Sequence, residues 1–307
     1  MGIVIDGQAC AAEIRQRIVE DVAALRGRGI KPAFSTVLVG DDAGARIYRR
    51  QLERAALDLG IDHKPVDVGA QASVAEIVNA VQGLARDPAV HGILPLRPFP
   101  SGIAEGPILD ALDPAKDADG LHPVNVGRLV LGIPTVVPAT ALACFEILEW
   151  HLRRQGLAPA DAMAGRDLVI AGRSQSVGRP AYALALQRNA SATTVHSFTS
   201  RAGRFADHTR RADILIVAMG KPAFITAEMV KPGAIVIDVG INSIPALDAA
   251  GQPILDERGR AKRKTVGDVA FEDVLPVAGA ITPVPGGVGA VTNLLLMRNV
   301  LRAAGGR

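Results

Sequence analysis

The chain has 307 residues, a formal net charge of +3 and 49% hydrophobic residues, which allows two domains of ordinary size around substantial cores. Aromatic residues make up only 3%, which argues against a stacking platform for single-stranded nucleic acid, and the basic residues fall in short runs (Arg49, Arg50 and Arg54; Arg153 and Arg154; Arg258 to Lys264) that read as solvated faces or as a hint of anionic ligands. No apolar run is long enough to span a bilayer, the N-terminus has no basic leader, and Cys10 and Cys144 lack metal-ligand spacing, so a reduced cytoplasmic protein with no membrane, nucleic-acid or metal partner is expected.

The first part alternates strand and helix patterns. Ala33 to Val39 reads as a strand, Ala43 to Leu59 as a helix ending at Gly60, and His63 to Val68 as a second strand. Ser73 and Glu76 form a capping box for a helix reaching Arg86, and Val90 to Leu94 is a third strand running into Pro95 to Pro100. This is the βαβ signature of a parallel sheet. Asp113 to Arg128 reads as a loop, and Pro138 starts a helix to about Gln155. A domain boundary is expected between Asp119 and Pro138, with the C-terminal helix packing back on the first domain.

A second alternating region begins at Asp167, with strands at Leu168 to Ala171, Thr193 to His196, Ile214 to Val217 and Ala234 to Val239, and helices at Val177 to Arg188 and Thr226 to Val230. The first of these strands leads into Gly172-Arg173-Ser174-Gln175-Ser176-Val177-Gly178, a glycine turn followed by a helix. Such a turn sets phosphate against a helix N-terminus, although two glycines do not make the full dinucleotide fingerprint and an ordinary βα turn competes. The next strand ends His196-Ser197, followed by Thr199 and Arg201, with no carboxylate to bond a ribose 2′-hydroxyl. With Arg173 and Ser174 in the first turn, this favours NADP over NAD; Ser197 also reads as a turn cap. Two more strands end at Gly220 and at Asp238-Val239-Gly240-Ile241-Asn242, where small residues line the usual crevice and structural turns are an equal reading. Pro245 to Arg263 reads as a polar excursion.

Near the C-terminus stands Thr282-Pro283-Val284-Pro285-Gly286-Gly287-Val288-Gly289, followed by an apolar, then basic helix pattern from Ala290 to Ala304. Two prolines restrict φ and three glycines remove Cβ atoms, so a flat or anionic ligand can approach backbone N–H groups here; a tight turn before a helix is the plainer alternative.

Taken together, these stretches resemble the bifunctional methylenetetrahydrofolate dehydrogenase/methenyltetrahydrofolate cyclohydrolase family. The matching pieces are Gly40-Asp41 to Tyr48, His91 to Leu94, Lys116 to Gly120, Gly172 to Pro180, Asp238 to Asn242, Val266 to Val269 and Thr282 to Gly289, in order and over nearly the whole chain. The resemblance implies two α/β domains flanking a cleft: a folate-type substrate domain of residues 1–125 and 288–307, and a Rossmann-like NADP-binding domain of residues 126–287. It implies NADP contacts from Gly172, Arg173, Ser174, Val177, Gly178, His196, Ser197, Gly220, Ile241 and Thr282. It implies substrate contacts from Tyr48, Leu52, Leu96, Asp119, Pro283, Gly286 and Gly287, with Tyr48 and Asp119 the retained catalytic positions. A homodimer is expected by the same resemblance. The family passes a hydride from 5,10-methylenetetrahydrofolate to NADP, and water then opens the 5,10-methenyl cation to 10-formyltetrahydrofolate.

The chain departs from that pattern at one pair of positions. The family's proton-handling lysine, four residues after the tyrosine, is Leu52 here, and the glutamine that works with it is Leu96. A second basic position is kept as Arg54, but arginine stays protonated and is a poor general acid or base. Val136-Val137-Pro138-Ala139-Thr140 and Ala290-Val291 also differ from family stretches. The expectation is therefore an NADP-dependent methylenetetrahydrofolate dehydrogenase with weak or lost cyclohydrolase activity. A silent NADP/pterin-binding paralogue, or an NADP oxidoreductase with another substrate, are the alternatives.

Overall fold

The computed structural model describes residues 2–248, 251–255, 257 and 259–305. Met1, Arg258 of the basic run, residues 249–250 and 256 of the expected excursion, and residues 306–307 lie outside them. In chain order the strands are β1 (Ile3–Val4), β2 (Ala33–Val39), β3 (Asp62–Val68), β4 (Gly92–Pro95), β5 (Asp167–Ala171), β6 (Ser191–Val195), β7 (Ile214–Val217), β8 (Ile235–Asp238), β9 (Asn242–Pro245), β10 (Arg263–Val266) and β11 (Ala280–Ile281). The chain divides into two compact units, Met1–Cys10 with Ala143–Val291, and Ala11–Leu142 with Thr292–Arg307.

The second unit carries a parallel three-stranded sheet in the order β3-β2-β4. All seven residues of the central β2 are buried, as expected of a strand covered on both faces. The helix Ala43–Leu59 starts where the Asp42 carboxylate accepts the Ala45 N–H at 2.8 Å, and stops at Gly60, whose φ of +78° suits a residue without a Cβ. The Ser73/Glu76 capping box opens the helix Val74–Arg86, which buries Ile77 and Val81 against Val37, Val39 and Ile93. Each such aliphatic side chain contributes about 1.5–3 kcal/mol by leaving water. The C-terminal helix, Val288–Ala303, reaches this unit: a Cβ at Gly92 would stand 2.6 Å from Val300 Cγ2, and the Asn299 amide donates to the Ala118 and Val137 carbonyls at 3.0 and 3.1 Å.

Residues 126–142, expected with the nucleotide domain, stay with this unit. The shared Asn299 amide is one reason, and the close fit of Gly120 against the Val137–Pro138 peptide is another: a Cβ there would lie 2.6 Å from Pro138 N. The stretch expected as a loop also contains a helix, Pro123–Val130, begun by His122 Nδ1 accepting the Val124 N–H at 3.0 Å.

The first unit carries a six-stranded sheet in the order β1-β11-β8-β7-β5-β6, every neighbouring pair parallel. Its β1, expected with the first domain, pairs with β11 because Gly2 has no side chain: a Cβ would meet the Ala278 carbonyl oxygen at 2.5 Å. Val169, Ala171, Val217, Val236 and Ile225 form part of its core. The short helix expected at Thr226 to Val230 is a single 3₁₀ turn, Ala227–Met229, and β9 pairs antiparallel with β10 at the base of the excursion. Among the described residues no helix is long and apolar enough to cross a membrane, and no group of His, Cys, Asp or Glu could hold a metal.

Candidate functional site

The expected cofactor residues stand at the carboxyl ends of β5, β6, β7, β8 and β11. Gly172, at φ +134°, turns the chain out of β5; a Cβ there would lie 2.2 Å from the Ala218 carbonyl oxygen. Gly178 starts the helix Gly178–Gln187 so close to the turn that its Cβ would lie 2.2 Å from the Gly172 carbonyl oxygen. Both glycines are therefore required by backbone approach, and the Arg179 N–H that follows donates to the Ser174 carbonyl at 3.0 Å. Gly178→Ala is expected to cost about 1–3 kcal/mol by overpacking, read as a lower unfolding midpoint. Ser174 Oγ accepts the Val177 and Gly178 N–H groups at 3.1 and 3.4 Å, capping the helix while its own O–H remains to donate.

At the end of β6, His196 Nδ1 accepts the Phe198 N–H at 3.3 Å and Thr199 Oγ1 accepts the His196 N–H at 3.2 Å, so His196 is engaged as a cap of the short helix Ser197–Arg201. Ser197 is exposed beside it. The guanidinium groups of Arg173 and Arg201 both lie over the Phe198 ring, 5.4 and 5.0 Å from its centroid. Two fixed cations and a hydroxyl at a strand end without a carboxylate fit a nucleotide carrying an extra phosphate on its ribose.

Behind this surface stand two buried aspartates whose role the sequence reading missed. Asp268 accepts the N–H groups of Met219, Gly220 and Lys221 at 2.5, 2.9 and 2.8 Å, and the Asn242 amide at 2.8 Å. Asp238 accepts the N–H groups of Gly240, Asp268 and Val269 at 2.9, 3.1 and 2.9 Å. Burial pushes the Asp238 carboxyl up to about 6, against the pull of those N–H donors. Thr282, expected at the cofactor, is 1% exposed, and its hydroxyl accepts the Asp238 N–H at 2.8 Å, which ties the loop after β11 to the end of β8. Ile241 is 73% exposed and Gly220 faces open space at φ +66°. In the loop after β11, Gly286 has φ +102°, and a Cβ at Gly287 would lie 2.5 Å from the Pro283 carbonyl oxygen. Pro283, Gly286 and Gly287 belong to this same unit.

Tyr48, Leu52, Leu96 and Asp119 belong to the other unit. Asp117, 3% exposed, accepts the Gly120 and His122 N–H groups at 3.0 and 2.7 Å and the Asn125 amide at 3.0 Å, which locks the loop that presents Asp119. The Asp119 side chain keeps 21% of its surface exposed, with Arg97 Nη1 at 3.9 Å. Burial pushes its carboxyl up to about 7, the neighbouring Asp117 adds to this, and Arg97 and the Ala139 N–H oppose it. Burial raises the Tyr48 phenol and the Asp119 charge raises it further, so Tyr48 is a neutral donor. Arg97 also clasps Glu105 through Nε and Nη2.

Leu52 and Leu96 are 0% and 1% exposed, among the largest fully buried side chains. Lys116, the lysine of the Asp119 loop, is directed elsewhere: Nζ donates to the Ala85 and Asp87 carbonyls at 2.8 Å each, closing the end of the helix Val74–Arg86. Arg54 is exposed. The arrangement can accept N–H donors at Asp119 and donate from Tyr48.

Comparison with known proteins gives two family matches. The family described as tetrahydrofolate dehydrogenase/cyclohydrolase, catalytic domain, matches residues 5–119, and the corresponding NAD(P)-binding domain matches residues 138–307. The chain is 41% identical over 303 residues to the bifunctional protein FolD 3 of Rubrobacter xylanophilus, covering 99% of this chain and 92% of that one. It resembles the crystal structure of the FolD methylenetetrahydrofolate dehydrogenase/cyclohydrolase of Campylobacter jejuni, with TM-score 0.86, 33% identity and 99% of each chain covered. It also resembles the Trypanosoma brucei methylenetetrahydrofolate dehydrogenase-cyclohydrolase solved with NADP and an inhibitor, with TM-score 0.85, 35% identity, and 99% and 97% of the chains covered.

Proposed function

The chain belongs to the tetrahydrofolate dehydrogenase/cyclohydrolase family, and from that premise we propose that it oxidises 5,10-methylenetetrahydrofolate to the 5,10-methenyl form with NADP, while the water-adding cyclohydrolase step is weak or lost. The observation that carries the second half is the burial of Leu52 and Leu96, 0% and 1% exposed, where the family resemblance expects a lysine and a glutamine. An aliphatic side chain can neither give nor take the proton that water addition requires. Dehydrogenation asks only that the donor carbon be held near the acceptor face, which is a matter of positioning.

NADP, when bound, supplies the hydride acceptor. The turn that leaves β5 at Gly172 would receive its pyrophosphate, with the Ser174 hydroxyl as a donor, and Arg173, Arg201 and Ser197 would receive its 2′-phosphate. Asp119 accepts hydrogen bonds from the pterin, and Tyr48 lines the same pocket as a neutral donor. Arg173→Ala is expected to raise the KM for NADP by about 10- to 100-fold, the loss of one charge-assisted phosphate contact, and to leave the kinetics with NAD, which has no 2′-phosphate, unchanged. Steady-state kinetics with both cofactors checks this. Equal losses with both would remove the assignment of Arg173 to the 2′-phosphate.

A second reading rests on the same buried leucines: a protein that binds NADP and pterin without turnover. No NADPH formed from 5,10-methylenetetrahydrofolate, with NADP binding intact, would favour it. The homodimer is part of the proposal, and a monomer by sedimentation at assay concentration would contradict it.

A further inference from the structure

Arg97 follows the buried Leu96 at the end of β4, whose N–H donates to the Val37 carbonyl at 2.9 Å and so fixes the chain at that point. Its guanidinium divides its donors between two acidic groups. Nε and Nη2 face Glu105, in the first turn of the helix Glu105–Asp110, and Nη1 faces Asp119 at 3.9 Å. The groups that act on Asp119 are Asp117 from its own loop, the Ala139 N–H from the helix Ala139–Arg154, Tyr48 from the helix Ala43–Leu59, and Arg97. Among the described residues, Arg97 is the one cation recorded against it. Asp117 accepts three N–H donors of its own loop and of Asn125, whereas Asp119 has the Arg97 guanidinium beside it.

We propose that Arg97 is a positioning residue for this site: held by Glu105, it favours the anionic form of Asp119, the form that accepts paired N–H donors from an aminopyrimidinone ring. This rests on the reading of the pocket as a folate site. A carboxylate accepts two such N–H bonds, whereas a protonated carboxyl offers a donor to one of two donors and is mismatched. Arginine suits the role because its fork serves two carboxylates at once and stays charged.

The pH dependence follows. Ligand binds the ionised form, so affinity is full above the Asp119 pKa of about 7 and falls as pH drops through it. Removing the cation raises that midpoint by about one pH unit. At pH 7 the competent fraction then falls roughly fivefold, and it recovers toward the wild-type value near pH 9.

The test uses the full-length protein as wild type, Arg97→Met and Arg97→Lys, with Asp119→Asn to identify the signal. Carbon NMR of labelled aspartate follows the Asp119 titration without ligand, and calorimetry follows tetrahydrofolate binding in the presence of NADP from about pH 6 to pH 9. The expected result is a higher Asp119 midpoint in Arg97→Met, partial return in Arg97→Lys, and a binding defect that shrinks with rising pH. An unchanged midpoint, or a defect of the same size at every pH, overturns the proposal. A raised midpoint with no tetrahydrofolate binding by the wild type supports the Arg97–Asp119 pairing and removes the folate reading instead.

Discussion

Asp268→Ala is expected to abolish NADP binding and to lower stability by about 3–5 kcal/mol, read as a lower urea midpoint and the loss of a calorimetric NADP signal. The carboxylate is 0% exposed and receives Met219, Gly220 and Lys221 N–H groups and the Asn242 amide. Truncation leaves four buried or half-buried donors without their acceptor, and each such orphan costs about 1–3 kcal/mol before the loop relaxes. The loop after β7 is then released, so Gly220 no longer presents its backbone at the nucleotide surface. Gly240 fits against Asp268 only for lack of a side chain: a Cβ there would lie 2.4 Å from the Asp268 carboxyl. Asp268→Asn keeps one acceptor oxygen and is expected to fall between the two. Wild-type melting and wild-type NADP affinity in Asp268→Ala would show that the four contacts are dispensable.

Leu52→Lys is expected to destabilise the protein by several kcal/mol and not to restore water addition. The side chain is 0% exposed on the buried face of its helix, which also carries Ala45, Ala56 and Leu59. An ammonium group placed there loses its hydration, and either its pKa falls or the helix shifts to let it reach water. Leu96, 1% exposed, offers it no hydrogen bond. Leu52→Ala, which only opens a cavity, is expected to cost about 2–5 kcal/mol, so the pair of variants separates the charge penalty from the packing loss. Urea denaturation gives the stabilities, and decay of methenyltetrahydrofolate gives the hydrolysis. A Leu52→Lys protein as stable as wild type and fully active in hydrolysis would contradict this description of the site.

The sequence was most legible where local chemistry and tertiary position agree. The residues Ala33 to Val39, the Ser73/Glu76 capping box and the helix from Ala43 to Gly60 stand where their patterns place them, because apolar period and cap point the same way. Pro123–Val130 was hidden because a helix of eight residues containing Gly127 has too short a period to stand out, and its cap is a histidine. The pairing of β1 with β11 joins residues almost a full chain apart, which no local pattern reports.

The candidate site shows the same contrast. The glycine turn at Gly172 and the arginines at 173 and 201 were visible as residue types, but Phe198, the ring on which both arginines rest, gives no signal in one dimension. Asp238 and Asp268 lie within the family-like stretches, and only the fold reveals that each, buried, holds a loop by its N–H groups. Thr282 shows the same limit: a hydroxyl in a ligand-type loop and a hydroxyl bonded to the Asp238 N–H read alike in sequence. Arg97 passed unnoticed among prolines, since its partners, Glu105 and Asp119, come together only in the fold.

The most direct test is a paired assay on one preparation of the unmodified protein: NADPH formation from 5,10-methylenetetrahydrofolate, and hydrolysis of 5,10-methenyltetrahydrofolate followed by its absorbance. The proposal predicts NADP-dependent turnover in the first, with hydrolysis in the second close to the rate without enzyme. Hydrolysis as fast as the dehydrogenase step, with Leu52 and Leu96 in place, would contradict it.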